Sequence, residues 1–213
     1  LTDLLDLDWS YFHPNGVEFY DNVNFMKAGL CYSSTLSTVS RTYADEIKYD
    51  FFGENMQDVI RRRSQDMYGI INGIDYERND PATDPRLYVN YSKENLNGKY
   101  ENKRRLQSDL GLEVRSDIPL ISLISRLVDQ KGLDLIERMM DELMEMDIEF
   151  VVLGTGDRKY EDMFRYAQNK YPGRVSANIK YDGVLAQRIY AASDMFLMPS
   201  LYEPCGLSQL FSM

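Results

Sequence analysis

The sequence is poor in the residues that build metal centres and disulfide frameworks. Its 213 residues include two cysteines, Cys31 and Cys205, and a single histidine, His13. With no Cys-x-x-Cys pair, too few soft ligands remain for a structural zinc site, and a disulfide-stapled secreted fold is equally unsupported. Positive charge is also in deficit: 24 Lys+Arg stand against 34 Asp+Glu, a formal net charge of −10. That argues against nucleic acid as a partner, because phosphate backbones are held by basic surfaces. No apolar run reaches the roughly 18 residues of a membrane helix, and the acidic start lacks the basic n-region of a signal peptide. The expectation is a cytoplasmic protein with no membrane partner.

What is present is ordinary globular composition, 44% hydrophobic and 27% charged, which excludes disorder and fits one large or two modest domains. The chain opens without a methionine and stops at Leu210-Phe211-Ser212-Met213, in what reads as the first turn of a helix. A piece of a longer protein is the expectation.

From Pro119 onward, short β-branched runs alternate with longer stretches of helical period, the pattern of parallel strands joined by crossover helices. Strands are expected at Pro119–Ile124, Glu149–Leu153, Val175–Ile179 and Met195–Pro199, with helices at Gly132–Met146, Arg158–Lys170 and Val184–Ala192 between them. Leu133, Ile136, Met140 and Leu143 recur at helical spacing and give the first helix an apolar stripe to lay on a sheet. Asp157 is placed to cap the second through its carboxylate. The expected product is an α/β fold, a Rossmann-like parallel sheet with helices on both faces. Upstream, helices are expected at Phe25–Ser33, Thr42–Ile47 and Met56–Asp66, a short strand at Leu36–Val39 and a buried strand at Gly69–Asn72. A polar stretch from Asp75 to Pro85 reads as a boundary, and Lys99–Leu110 as a charged helix closed by Gly111.

Ligands of open α/β sheets bind at the carboxyl ends of the strands, so the loops there carry the candidate chemistry. The first holds Arg126 and Lys131 ahead of Gly132: a planar fork and a point charge, both suited to phosphate. Spacing alone leaves open whether they grip an anion or are solvated surface groups. The second, Leu153-Gly154-Thr155-Gly156-Asp157, would admit a ligand close to the backbone, or is simply a tight turn. Lys159 stands where a dinucleotide fingerprint needs its third glycine, which argues against an NAD(P)-binding oxidoreductase. The last loop carries Glu203-Pro204-Cys205-Gly206-Leu207, where a carboxylate could accept sugar hydroxyls or merely charge a helix start.

Taken together, these strings resemble the bacterial glycogen synthase and starch synthase family, retaining glucosyltransferases of the two-domain GT-B fold. The matching text is ISRLVDQKGLDLI at 124–136, VVLGTGD at 151–157, IYAASD at 189–194 and FLMPSLYEPCGLSQL at 196–210. Upstream, KAGLCYSSTLSTVSRTYADEI at 27–47 and GIINGIDYERNDPATD at 69–84 carry the likeness through nearly the whole chain.

The resemblance implies a truncated GT-B protein: residues 1–75 the end of the acceptor-side domain, 76–118 a linker and leading helix, 119–213 the nucleotide-sugar domain. It implies that Arg126 and Lys131 hold the donor diphosphate and stabilise it as it leaves, without a metal. Glu203 falls beside the transferred glucose. Cys205, Gly206 and Leu207 present backbone to sugar and phosphate, Tyr181 lies next to the adenine, and Gly154, Thr155 and Gly156 line the nucleotide side. The implied partners are ADP-glucose, as donor substrate rather than cofactor, and an α-1,4-glucan. A catalytically incompetent ADP-binding module is the alternative. The family's glycine-rich lysine segment and catalytic histidine motif have no counterpart here, and Phe211 replaces a second glutamate common in related transferases. Arg41 and the stretch Glu77-Arg78-Asn79 also depart from the family pattern.

Overall fold

The computed structural model describes residues 2–213, which divide into two compact units, one ending at Gly73 and the other running from Ile74 to Met213. In the first unit, helix α1 (Thr2–Leu5) precedes an antiparallel hairpin of β1 (Glu18–Phe19) and β2 (Asn22–Val23). Helix α2 (Phe25–Tyr32), strand β3 (Leu36–Thr38), helices α3 (Arg41–Glu46) and α4 (Gln57–Arg62) and strand β4 (Met67–Gly69) follow. Strands β3 and β4 pair in parallel. Polar side chains start the helices: Asn24 accepts from the Lys27 amide at 2.8 Å and Ser40 from the Tyr43 amide at 2.9 Å. Ile47, Met56 and Ile60 form this unit's core.

Two expectations fail here. The helix expected over Met56–Asp66 ends at Arg62 and continues as a separate 3-10 turn, Ser64–Asp66. Arg63, at the break, donates to the carbonyls of Leu30, Cys31 and Ser33 and so satisfies the C-terminal end of α2. The strand expected at Gly69–Asn72 lies earlier, at Met67–Gly69, and it is not buried beyond that: Ile70 and Ile71 are both 64% exposed. Ladder pairing with β3 stops there, so these two apolar residues have no sheet face to join.

The second unit runs α5 (Asn97–Asp109), β5 (Leu120–Ile124), α6 (Leu133–Glu145), β6 (Glu149–Leu153), α7 (Arg158–Lys170), β7 (Val175–Asn178), α8 (Gly183–Ala192), β8 (Met195–Phe196) and α9 (Leu207–Ser212). The four strands make one parallel sheet in the order β7-β6-β5-β8. Alternate residues feed opposite faces. Leu123, Phe150 and Val152 pack with α6 and α7, whereas Leu120, Val151 and Leu153 pack with α5 and α8. Every residue of β6 is buried, as expected of a central strand covered on both sides. Each fully buried Leu or Phe contributes about 1.5–3 kcal/mol, so these two layers hold the sheet rigid beneath the loops at its carboxyl edge.

Capping differs from expectation at one helix. Asp157 takes the N-cap position of α7, but its side chain makes no capping hydrogen bond. Instead the Glu161 carboxylate accepts from the Gly156 amide at 3.2 Å. Asp182 does cap α8, accepting from Val184 and Leu185, and these bonds together with Lys180 hold its carboxyl below the ordinary range. Strand β8 pairs only over Met195–Phe196 rather than through Pro199, after which one further bond, Leu197 amide to Ser122 carbonyl at 2.8 Å, precedes the turn.

Candidate functional site

Three loops leave the carboxyl ends of β5, β6 and β8, and hydrogen bonds stitch them into one surface. The Leu127 amide donates to the Thr155 carbonyl at 2.9 Å and the Asp157 amide to the Leu127 carbonyl at 2.8 Å, tying the β5 loop to the β6 loop. The Leu201 amide donates to the Gln130 carbonyl at 3.0 Å and the Gln130 side-chain amide to the Tyr202 carbonyl at 3.2 Å, tying the β5 loop to the β8 loop.

The glycines are needed for this stitching. A Cβ on Gly154 would stand 1.9 Å from the Ser125 carbonyl oxygen, and one on Gly156 would stand 2.2 Å from that of Leu127. The chain's own backbone is what approaches closely there. Gly132 has φ +66°, and a Cβ on it would lie 2.1 Å from the Pro199 carbonyl oxygen. Both the left-handed conformation and the contact therefore select glycine at the start of α6.

Within these loops a cavity of about 150 Å³ opens, lined by Arg126, Lys131, Glu203, Ser200 and Ser208 with the apolar ends of the strands around them. The structure thus brings together the three residues expected to carry chemistry. The Lys131 ammonium lies 2.5 Å from Glu203 Oε1 in a pair whose side chains are 14% and 20% exposed. Ser200 Oγ donates to the same Oε1 at 2.7 Å. Arg126 is exposed, and its Nη2 makes a 3.4 Å contact with Gln130 Oε1. A basic fork, an ammonium and a carboxylate on one rim suit an anionic group bonded to a polyhydroxyl one.

None of the other expected residues lines this cavity. Gly206 is buried, with φ +78° at the start of α9, and a Cβ on it would lie 3.3 Å from the Met198 methyl and 3.9 Å from Glu203 Cβ. Cys205 is a half-buried free thiol, Leu207 is exposed, and Gly154, Thr155 and Gly156 lie on the stitched β6 loop. Tyr181 stands 95% exposed ahead of α8. Sequence reasoning missed Ser200 and Gln130, whose residue types carry no signal until their partners are placed.

Among the described residues, no group of three or more His, Cys, Asp or Glu is placed to hold a metal ion. None of their helices is long and apolar enough to cross a membrane.

Residues 1–62 match the starch synthase catalytic domain and residues 118–213 the glycosyl transferases group 1 model. Glycogen synthases of Pseudothermotoga lettingae and Clostridioides difficile are 56% and 52% identical over 95% and 100% of the chain. These matches cover 42% and 44% of the two relatives, so the chain spans less than half their length. The catalytic domain of starch synthase IV from Arabidopsis thaliana, solved bound to ADP and acarbose, superposes with a TM-score of 0.90 at 36% identity, over 97% of this chain and 43% of that one. Anabaena HepE, solved with UDP and glucose, shares the fold alone, with a TM-score of 0.56 at 16% identity, over 87% of this chain and 43% of its own. The chain belongs to the glycogen synthase and starch synthase family of glycosyltransferases.

Proposed function

We propose that this chain is part of a glucosyltransferase that moves glucose from ADP-glucose to the non-reducing end of an α-1,4-glucan with retention of configuration. Residues 1–75 are the end of the acceptor-side domain, 76–118 the linker and leading helix, and 119–213 most of the nucleotide-sugar domain. The observation that carries this reading is the convergence of Arg126, Lys131 and Glu203 on one cavity at the sheet's carboxyl edge. The starch synthase neighbour solved with ADP and acarbose supports the choice of nucleotide and glucan.

In this reading Arg126 and Lys131 grip the diphosphate and neutralise the charge that develops as it departs, a preorganised electrostatic contribution. Glu203 accepts a hydroxyl of the transferred glucose. The backbone at Cys205, Gly206 and Leu207 lies along sugar and phosphate, Tyr181 flanks the adenine, and Gly154, Thr155 and Gly156 border the nucleotide. The leaving diphosphate and incoming hydroxyl meet on the same sugar face, so no enzyme nucleophile is required. A cytoplasmic location suits ADP-glucose and glycogen as substrates.

The test is transfer of labelled glucose from ADP-glucose to glycogen by a protein carrying this sequence together with the remainder of both GT-B domains. Transfer that Arg126→Ala and Lys131→Ala suppress supports the reading; absence of transfer by the parent contradicts it. The 213-residue chain by itself should transfer nothing, because chemistry requires donor and acceptor held together in a closed site.

A further inference from the structure

The cation best placed to meet a diphosphate in this cavity is already engaged by a carboxylate. Lys131 Nζ and Ser200 Oγ both donate to Glu203 Oε1, at 2.5 and 2.7 Å, and all three residues line the same cavity. The pair is largely shielded from water, so its attraction is weakly screened. A diphosphate brought to Lys131 with this contact intact would place two anionic groups against one ammonium.

We propose that nucleoside-diphosphate binding here is an ion-pair exchange: Lys131 leaves Glu203 for the phosphate oxygens, and Ser200 retains the released carboxylate in place. The inference rests on the donor-site reading given above and adds an order of events to it. Arg126 is exposed and carries a single long contact to Gln130 among the described residues, so it is available to the incoming phosphates first. Lys131 has a flexible four-carbon stem and follows. Ser200 is then a positioning residue, since its hydroxyl still restrains Oε1 after the ammonium has gone. One event thereby readies both ends of the donor, gripping the diphosphate and releasing one acceptor position on Glu203 Oε1 for a sugar hydroxyl. Its consequence is that Glu203 weakens the binding of a bare diphosphate, because that ligand must break the pair and offers no sugar hydroxyl in return.

The experiment is a double-mutant cycle on the 213-residue chain, with ADP and inorganic pyrophosphate as calorimetric probes and melting curves to verify folding. Glu203→Gln keeps the side chain's shape and removes its charge. It should bind both probes about threefold to tenfold more tightly than the parent, the range set by a partly shielded ion pair. Glu203→Asp, which withdraws the carboxylate by one methylene, should shift affinity in the same direction and serves if the first variant folds poorly. The gain should disappear in a Lys131→Ala background, because no pair is then left to break. A gain that persists there reflects general repulsion between Glu203 and phosphate, and overturns the exchange. Unchanged or weakened binding of both probes also overturns it while leaving the donor site standing. Failure of parent and Glu203→Gln alike to bind either probe removes the donor-site reading, and the exchange falls with it.

Discussion

The Lys131 ammonium and the Glu203 carboxylate meet at 2.5 Å although 72 positions separate them in the chain. The meeting depends on β5 and β8 being neighbours in the sheet, and on Gly132 allowing the backbone of Pro199 to pass close beside the start of α6. The positions of charge at this site are therefore set by strand order and by one glycine.

Removing either cation should weaken nucleotide binding. A charge-assisted hydrogen bond is worth about 1.5–3 kcal/mol, so Arg126→Ala and Lys131→Ala should each raise the ADP dissociation constant by about tenfold to a hundredfold. Isothermal titration of each variant measures this. Unaltered affinity in both variants would assign the two cations to ordinary surface.

Glu203→Ala, made in a protein carrying both GT-B domains, should depress turnover more than donor affinity. A contact to the glucose that strengthens as the glycosidic bond breaks acts on kcat. Steady-state kinetics against ADP-glucose separate the two. A variant with full kcat and a raised KM would reduce Glu203 to a ground-state contact.

The glycines that let the loops touch should be intolerant of a methyl group. Gly154→Ala would set a Cβ 1.9 Å from the Ser125 carbonyl oxygen, a collision that only backbone movement relieves. A loss of about 1–3 kcal/mol is expected, in the range of overpacked sites. Urea denaturation checks this, with Gly183→Ala as control because a Cβ there meets no atom within 4 Å.

Stability should also depend on pH through a group far in sequence from the site residues. Glu149 is fully buried at the first position of β6; Oε2 accepts from Gln107 at 2.7 Å, and Oε1 has no partner among the described residues. Burial pushes this carboxyl up to about 7, opposed by the Gln107 hydrogen bond and the Lys103 and Arg115 charges and reinforced by Glu113. The folded chain therefore holds a proton that the unfolded chain releases near the ordinary value of 4.5. Stability falls as pH rises from that value to about 7, by up to about 3 kcal/mol at 1.36 kcal/mol per unit. Glu149→Gln should flatten this fall when urea midpoints are compared at pH 5 and pH 8. An identical pH dependence in parent and variant would show that Glu149 ionises normally.

Much of the second unit was legible because its signals are local. The spans of β6 and α7 follow directly from an apolar run and an amphipathic period, and the observed bounds coincide with those expected. Legibility failed where the outcome depends on distant partners. Ile70 and Ile71 look like core text, yet the ladder that would bury them stops at Gly69. Asp157 has the residue type of a cap, but the Glu161 carboxylate takes the Gly156 amide. At the site, residue types marked Arg126, Lys131 and Glu203 as interesting, whereas nothing local marked their pairing, or the parts played by Ser200 and Gln130.

Calorimetric titration of the 213-residue chain with ADP, with UDP and NADH as controls, tests the central claim most directly. The account predicts saturable ADP binding that tolerates NADH in excess and weakens when Arg126 or Lys131 becomes alanine. NADH binding in preference to ADP, or ADP binding indifferent to both substitutions, would contradict a donor-diphosphate site at the carboxyl edge of this sheet.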